Sequence, residues 1–258
     1  MSVISSLGWI VFLGAPGCGK GTQSEYLVKD HNFTVISVGD LLRLNKTQKI
    51  SDVVADSGHK NLSVEDKKLC DDGVTIETLM KSGSLFPDWI IIDLVRSEVK
   101  KAAAAGSRGI LFDGFPRTVV QAEALSNLAK EFNSNVDKVL NFVVDDAIIT
   151  KRILGRFKCT HCGKIYNDFF LKTKVEGVCD DCGHKDFERR SDDNEESLKK
   201  RLDEYKSKTQ DVVAFYSKSG ALVNIDASKS SEDVKNEVIK TISNNDQGSE
   251  SLCNGIVL

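Results

Sequence analysis

The sequence predicts an α/β fold, a mainly parallel sheet covered on both faces by helices. Five short apolar runs, most of them rich in strand formers, alternate with helical segments along the chain. The first run leads straight into a glycine-rich loop and then a helix. At 258 residues, 40% hydrophobic and 28% charged, the composition is ordinary globular composition, enough for one large domain or a core with appended modules. Strand-helix alternation makes neighbouring strands parallel, and the crossover helices then cover both faces.

The strand candidates are Trp9–Leu13, Thr34–Ser37, Ile110–Phe112, Val139–Val144 and Ala221–Ile225. Asp88 is placed to cap a helix that runs through Ala102–Ala105 and stops at Gly106. Asp146 is placed to cap another through Arg156. A long helix is predicted over Glu195–Lys218, its start favoured by Asp192, Asp193, Glu195 and Glu196. Three segments break this rhythm. Asn45–Lys81 is polar and helix-like, with a capping box at Ser63-Val64-Glu65-Asp66. Phe157–Glu188 holds a cysteine cluster, and Ser243–Ser251 is a polar tail that reads as disordered. The first two look like inserted subdomains.

Composition excludes several classes. Three prolines, Pro16, Pro87 and Pro116, rule out proline-rich linkers and collagen-like repeats. A net charge of -3 and a pI near 5.9 argue against an electrostatic nucleic-acid binder. No apolar run reaches the roughly 18 residues that span a bilayer, so no membrane association is expected. Met1–Gly8 lacks the length and charge of a signal peptide, Ser2 excludes myristoylation, and Cys253 lies too far from the end for prenylation. These features predict a soluble cytoplasmic protein. There, four of seven cysteines within 24 consecutive residues suggest a metal before disulfides.

Gly14-Ala15-Pro16-Gly17-Cys18-Gly19-Lys20-Gly21-Thr22 sits between strand and helix, as a phosphate-binding loop requires. Glycines let backbone N–H groups turn inward onto phosphate oxygens, and the helix start adds partial positive charge. Lys20 can reach the β and γ phosphates. The hydroxyl that commonly follows the lysine directly comes one place later, as Thr22. Cys18 reads as a small residue tolerated in the loop.

Five motifs, in register over Trp9–Ile242, resemble the adenylate kinase family in its long, zinc-containing form. They are Gly14–Thr22 with Gln23, Ser37-Val38-Gly39-Asp40-Leu41-Leu42-Arg43, and Asp113-Gly114-Phe115-Pro116-Arg117-Thr118 with Gln121. The others are Arg152 with Ile153-Leu154-Gly155-Arg156, and Arg190-Ser191-Asp192-Asp193 with Arg201. The resemblance implies a P-loop five-stranded core at 1–36, 88–156 and 190–242. It also implies a monophosphate-binding insert at 37–87, a zinc lid at 157–189 and a tail at 243–258. The activity implied is reversible phosphoryl transfer between Mg²⁺-ATP and AMP, giving ADP, by a monomer.

Residue chemistry supports this independently. Phosphoryl transfer is mostly positioning and charge stabilisation, and guanidinium is a planar, permanently charged fork suited to it. Six of only nine arginines fall at motif positions. By resemblance, Gly17, Gly19, Lys20, Gly21 and Thr22 hold ATP phosphates, and Arg152 stacks on the ATP adenine. Arg43 and Arg117 grip the AMP phosphate, with Gly114 nearby, and Gln121 reads the base. Arg156, Arg190 and Arg201 surround the transferred group, the last two also facing AMP. Asp113 holds the Mg²⁺ water shell, and Asp192 and Asp193 pair with arginines to tie lid to core. On a helix through Arg156, Arg152 and Arg156 share a face at i, i+4.

Two positions depart from the pattern. Val38 stands where the family usually has threonine or serine against AMP, so CMP, UMP or GMP stays open beside AMP as the acceptor. The stretch from Arg43 to Leu85 is roughly twenty residues longer than the family needs, the excess lying at about Lys49–Lys67.

Cys159-Thr160-His161-Cys162 and Cys179-Asp180-Asp181-Cys182 are two Cys-x-x-Cys knuckles, each followed by glycine, Gly163 and Gly183. Four thiolates at this spacing fit structural Zn²⁺, although they also accept iron. His161 and His184 are expected beside the metal, not on it. A ribbon of this kind with Tyr166, Phe169, Phe170, Lys172 and Lys174 could also bind nucleic acid, but its place between phosphate arginines argues against that.

Overall fold

A computed structural model of the chain describes residues 8–53, 68, 73–82, 86–107 and 109–243. The capping box at Ser63–Asp66, most of the extra piece at Lys49–Lys67 and the tail beyond Ser243 lie outside the described residues.

The main sheet has five parallel strands in the order β2-β3-β1-β4-β8: β1 (Trp9–Gly14), β2 (Thr34–Ser37), β3 (Ile110–Asp113), β4 (Val136–Val143) and β8 (Leu222–Asp226). All five predicted runs are strands. The chain builds to one side of β1 first and to the other later, which opens a crevice at the carboxyl ends of β1, β3 and β4.

β1 shows why the sheet is buried on both faces. Trp9, Val11 and Leu13 enter one core cluster, while Ile10 and Phe12 enter another, as the two-residue strand period requires. The first face is covered by α5 (Asp88–Ala104), α6 (Val119–Glu131) and α9 (Gln210–Ser219), through Val95, Val99, Leu125 and Tyr216. The second is covered by α1 (Lys20–His31) and α10 (Ser231–Ser243), through Leu27, Val234 and Val238. Each such aliphatic side chain stabilises the fold by roughly 1.5–3 kcal/mol.

Shorter helices α2 (Val38–Leu44), α3 (Ile50–Val53) and α4 (Ile76–Ser82) lie between β2 and α5, and α7 (Asp146–Leu154) follows β4. A second, three-stranded antiparallel sheet has the order β6-β5-β7: β5 (Arg156–Cys159), β6 (Ile165–Asn167) and β7 (Phe187–Glu188). No helix among the described residues is long and apolar enough to cross a membrane.

Several local expectations change. Pro87, not Asp88, caps α5; the Asp88 carboxylate instead accepts hydrogen bonds from Thr118 Oγ1 at 3.0 Å and Gln121 Nε2 at 2.8 Å. Asp145, not Asp146, caps α7, its extended backbone letting the carboxylate accept from the Ala147 amide at 2.7 Å. That helix ends at Leu154 and Arg156 opens β5, so Arg152 and Arg156 do not share a helix face. The long helix is α8 (Glu195–Glu204), a π turn at Tyr205–Thr209, then α9; Asn194 caps it by accepting from the Ser197 amide.

Candidate active site

The phosphate loop turns on left-handed glycines, Gly14 at φ 141°, Gly17 at φ 77° and Gly19 at φ 107°. Gly19 caps α1 without a side-chain bond, and the first turn of α1 carries no acidic residue. Its amides and dipole therefore face the loop uncompensated, as an anion site needs. Lys20 Nζ donates to the carbonyls of Gly14 at 2.7 Å and Ala15 at 3.1 Å. Cys18 is buried in the second core cluster.

Gly14 tolerates no side chain. A Cβ there would stand 2.7 Å from Cys18 Sγ and 2.8 Å from the Phe142 carbonyl oxygen. Gly14→Ala is expected to cost about 3 kcal/mol in strain and overpacking. In a calorimeter that lowers the melting temperature by roughly 6–12 °C. An unchanged melting curve would contradict this loop geometry.

Asp113 ends β3 beside the loop; a Cβ on Gly21 would lie 3.9 Å from its Oδ2. Burial raises the Asp113 carboxyl above the ordinary carboxylate range, with Lys20 opposing the rise. Arg117 and Arg43 act on the same carboxylate, so Asp113 lies in the field of both the phosphate-loop lysine and the arginine cluster.

That cluster joins five residues from separate elements. Arg43 donates to Asp40 through Nε at 3.2 Å and Nη2 at 2.5 Å, and Arg190 stands 3.9 Å from the same carboxylate. Arg156 makes a bidentate pair with Asp193 at 2.8 and 2.6 Å. Arg201 pairs with Asp192 at 3.2 Å and lies 3.8 Å from Asp193. Arg117 Nε donates to the Gly114 carbonyl at 2.9 Å. Arg117 is lowered to about 10, chiefly by burial and then by the charges of Arg201 and Arg43, with Asp113 opposing. Arg190 is likewise lowered to about 10, first by burial and then by Arg156 and Arg43. Five guanidinium groups near one another are costly unless anions meet them, and four carboxylates meet them only in part.

Arg152 belongs to the loop side. It donates to the Cys18 carbonyl at 3.2 Å and the Ala227 carbonyl at 2.9 Å, with its guanidinium 5.9 Å from the Phe170 ring centroid. Asn167 fastens that neighbourhood, donating to the Arg152 carbonyl while its Oδ1 accepts from the Phe169 and Phe170 amides. Val38 is buried in the main core and offers no polar atom. Gln121 is buried too; its Oε1 accepts from the Arg117 amide at 2.8 Å and its Nε2 donates to Asp88. Asp88, Asn167 and Phe170 carry no local signal as neighbours of these residues, because their contacts with Gln121 and Arg152 join well-separated parts of the chain.

In the small sheet the two knuckles are twins. The Cys159 amide bonds the Lys164 carbonyl and the Gly163 amide the Cys159 carbonyl; the Cys179 amide bonds the His184 carbonyl and the Gly183 amide the Cys179 carbonyl. Gly163 and Gly183 take left-handed φ of 77° and 73°. The four sulfurs lie within 4.8 Å of one another, with Cys159–Cys182 at 3.6 Å and Cys162–Cys179 at 3.5 Å. Four sulfurs about 2.3 Å from one ion would be spaced about 3.8 Å apart, so the set fits a tetrahedral thiolate metal. Tyr166 Oη donates to Cys179 Sγ at 3.4 Å. The His161 and His184 rings stack on each other with centroids 4.9 Å apart.

The adenylate kinase family model matches residues 60–221, and an AAA domain model matches residues 13–75. Among curated proteins, the adenylate kinase of Paracoccus denitrificans is 38% identical over 233 residues, 90% of this chain and 96% of the relative. That of Borreliella burgdorferi is 39% identical over 234 residues, again 90% and 96%. That of Caldicellulosiruptor bescii is 38% identical over 233 residues, 90% of this chain and 98% of the relative.

Proposed function

The chain belongs to the adenylate kinase family, and from that premise we propose how its residues carry the family's reaction. It is a nucleoside monophosphate kinase that moves the terminal phosphoryl group of ATP to AMP, giving two ADP, and runs the step in reverse. The observation that carries the residue assignment is that Asp113 ends β3 beside the phosphate loop and lies in the field of Lys20, Arg117 and Arg43. A phosphoryl group passing between two nucleotides would meet the loop and the arginines there.

In this reading the loop amides at Gly17, Gly19 and Gly21 hold the ATP phosphates. Lys20 leaves the Gly14 and Ala15 carbonyls to pair with phosphate oxygens, and Thr22 adds a hydroxyl. Arg152 and Phe170 border the adenine. Arg43 and Arg117 grip the AMP phosphate beside Gly114, while Val38 and Gln121 line the base pocket. Arg156, Arg190 and Arg201 surround the transferred group, where negative charge spreads over three oxygens. Asp113 would hold Mg²⁺ through its waters; the buried carboxylate beside the loop suits a hard cation, and Mg²⁺ neutralises phosphate charge when bound.

We assign residues 1–36, 88–156 and 190–242 to the core, 37–87 to the monophosphate insert and 157–189 to a zinc lid. Arg156 and Arg190 flank that lid, so its closure would carry both onto the phosphates and exclude water. Cys159, Cys162, Cys179 and Cys182 would hold a structural Zn²⁺, leaving no coordination position open. The net charge of -3 supports a protein without nucleic-acid partners, and the thiol-rich sequence suits the cytoplasm.

A coupled assay in both directions across AMP, CMP, UMP and GMP tests the acceptor. AMP is expected to be the fastest. CMP or UMP overtaking AMP would overturn the base assignment, Val38 being the residue to suspect.

A further inference from the structure

Arg117 stands just ahead of α6, outside any helix or strand, so neither of its backbone polar groups has a partner by default. Both are met by side chains. The amide donates to Gln121 Oε1 at 2.8 Å, and the carbonyl accepts from Thr209 Oγ1 at 3.2 Å. Thr209 is 5% exposed and closes the π turn at Tyr205–Thr209. A helical threonine commonly returns its hydroxyl to a carbonyl one turn back. Here the hydroxyl leaves its own helix and bonds a residue 92 positions away.

The π turn explains how it can. One residue beyond the α-helical repeat turns everything downstream by about 100°. Upstream, α8 directs Arg201 at Asp192. Downstream, α9 buries Val212 and Tyr216 in the core. The inserted residue lets one helix satisfy both demands and sets Thr209 against the Arg117 carbonyl. Arg117 needs such a hold, because the neighbouring guanidinium groups of Arg201 and Arg43 repel it.

We propose that Thr209 is a positioning residue for Arg117, a hydroxyl clamp carried on the π turn that fixes the monophosphate-gripping arginine beside Arg201. This rests on the assignment of Arg117 to the AMP phosphate. The test is a double-mutant cycle of Thr209→Val and Arg117→Ala, with Thr209→Ser as rescue, read as kcat/KM for AMP and for ATP and as melting temperature. Losing this one neutral hydrogen bond should lower kcat/KM for AMP by about five- to tenfold. KM for ATP should hold, and Thr209→Ser should recover most of the loss. In the Arg117→Ala background, Thr209→Val should add nothing. Equal losses for both substrates, or a full second loss in that background, would make Thr209 merely structural and overturn the proposal. If Thr209→Val does not fold, Thr209→Ala against Thr209→Ser supplies the same comparison. Wild-type AMP efficiency in Arg117→Ala would instead remove the assignment beneath it.

Discussion

Lys20→Met is expected to lower kcat by about two to three orders of magnitude, the loss typical of removing one preorganised donor to developing charge. Methionine nearly matches the lysine stem in volume, so packing changes little. The ammonium does two jobs in the structure. It caps the Gly14 and Ala15 carbonyls, and it opposes the upward shift of Asp113. Freeing the carbonyls should cost only about 1–3 kcal/mol of stability. The second job gives an independent readout. A buried carboxyl raised above its ordinary 3.8 keeps its proton to higher pH. The folded chain then binds that proton more readily than the unfolded chain. Stability from protonated Asp113 is therefore present at low pH and lost as pH rises through the folded value. Activity runs the other way, because only the carboxylate can hold a hydrated cation. The acid limb of kcat against pH should lie above the ordinary carboxylate range, and Lys20→Met should move it higher still. An acid limb that stays in place in the variant would separate Lys20 from Asp113.

Removing the metal proposed for the four cysteines should have the second large effect. The core of the proposed lid is small, with Cys159, Tyr166 and Cys179 buried and Phe157 and Phe187 packed against them. Two of its three buried members are proposed metal ligands. A structural zinc supplies apparent binding energy of about 10–16 kcal/mol, far more than these side chains can replace. Chelation, or Cys179→Ser, should abolish bound metal and let amides from 157 to 189 exchange with solvent. β1, β3 and β4 should stay protected, since their cores are separate. Turnover should fall sharply, because Arg156 and Arg190 flank the melted segment. Unaltered melting and unaltered exchange in metal-free protein would count against a structural role.

The features readable from sequence were those whose cause is local. The five strands announce themselves by β-rich apolar runs, the phosphate loop by glycines between strand and helix, and the knuckles by their spacing. Features decided by distant residues carry no such local signal. Asp88 and Asp146 both look like helix caps, since an aspartate ahead of an apolar run is the usual signal. Which residue caps is decided by backbone conformation, and extended Pro87 and Asp145 hold that position. Asp88 is drawn off by Thr118 and Gln121, some thirty residues on. Arg156 leaves its helix because its neighbours pair with β6 and β7 to start a sheet. The π turn has no local signature, since it reconciles contacts at both ends of a long helix.

The register of the central strand also orders events during synthesis. β1 is made first, yet its partners are Ile110–Asp113 on one side and Val136–Phe142 on the other. At about 5–20 residues per second, a ribosome leaves this apolar strand unpaired for roughly 5–20 seconds before its first neighbour exists. The phosphate loop, whose shape depends on the Phe142 backbone beside Gly14, forms later still. Nascent chains halted before residue 110 should therefore carry an exposed, aggregation-prone strand and no nucleotide affinity, and competence should emerge only after β4 has left the exit tunnel.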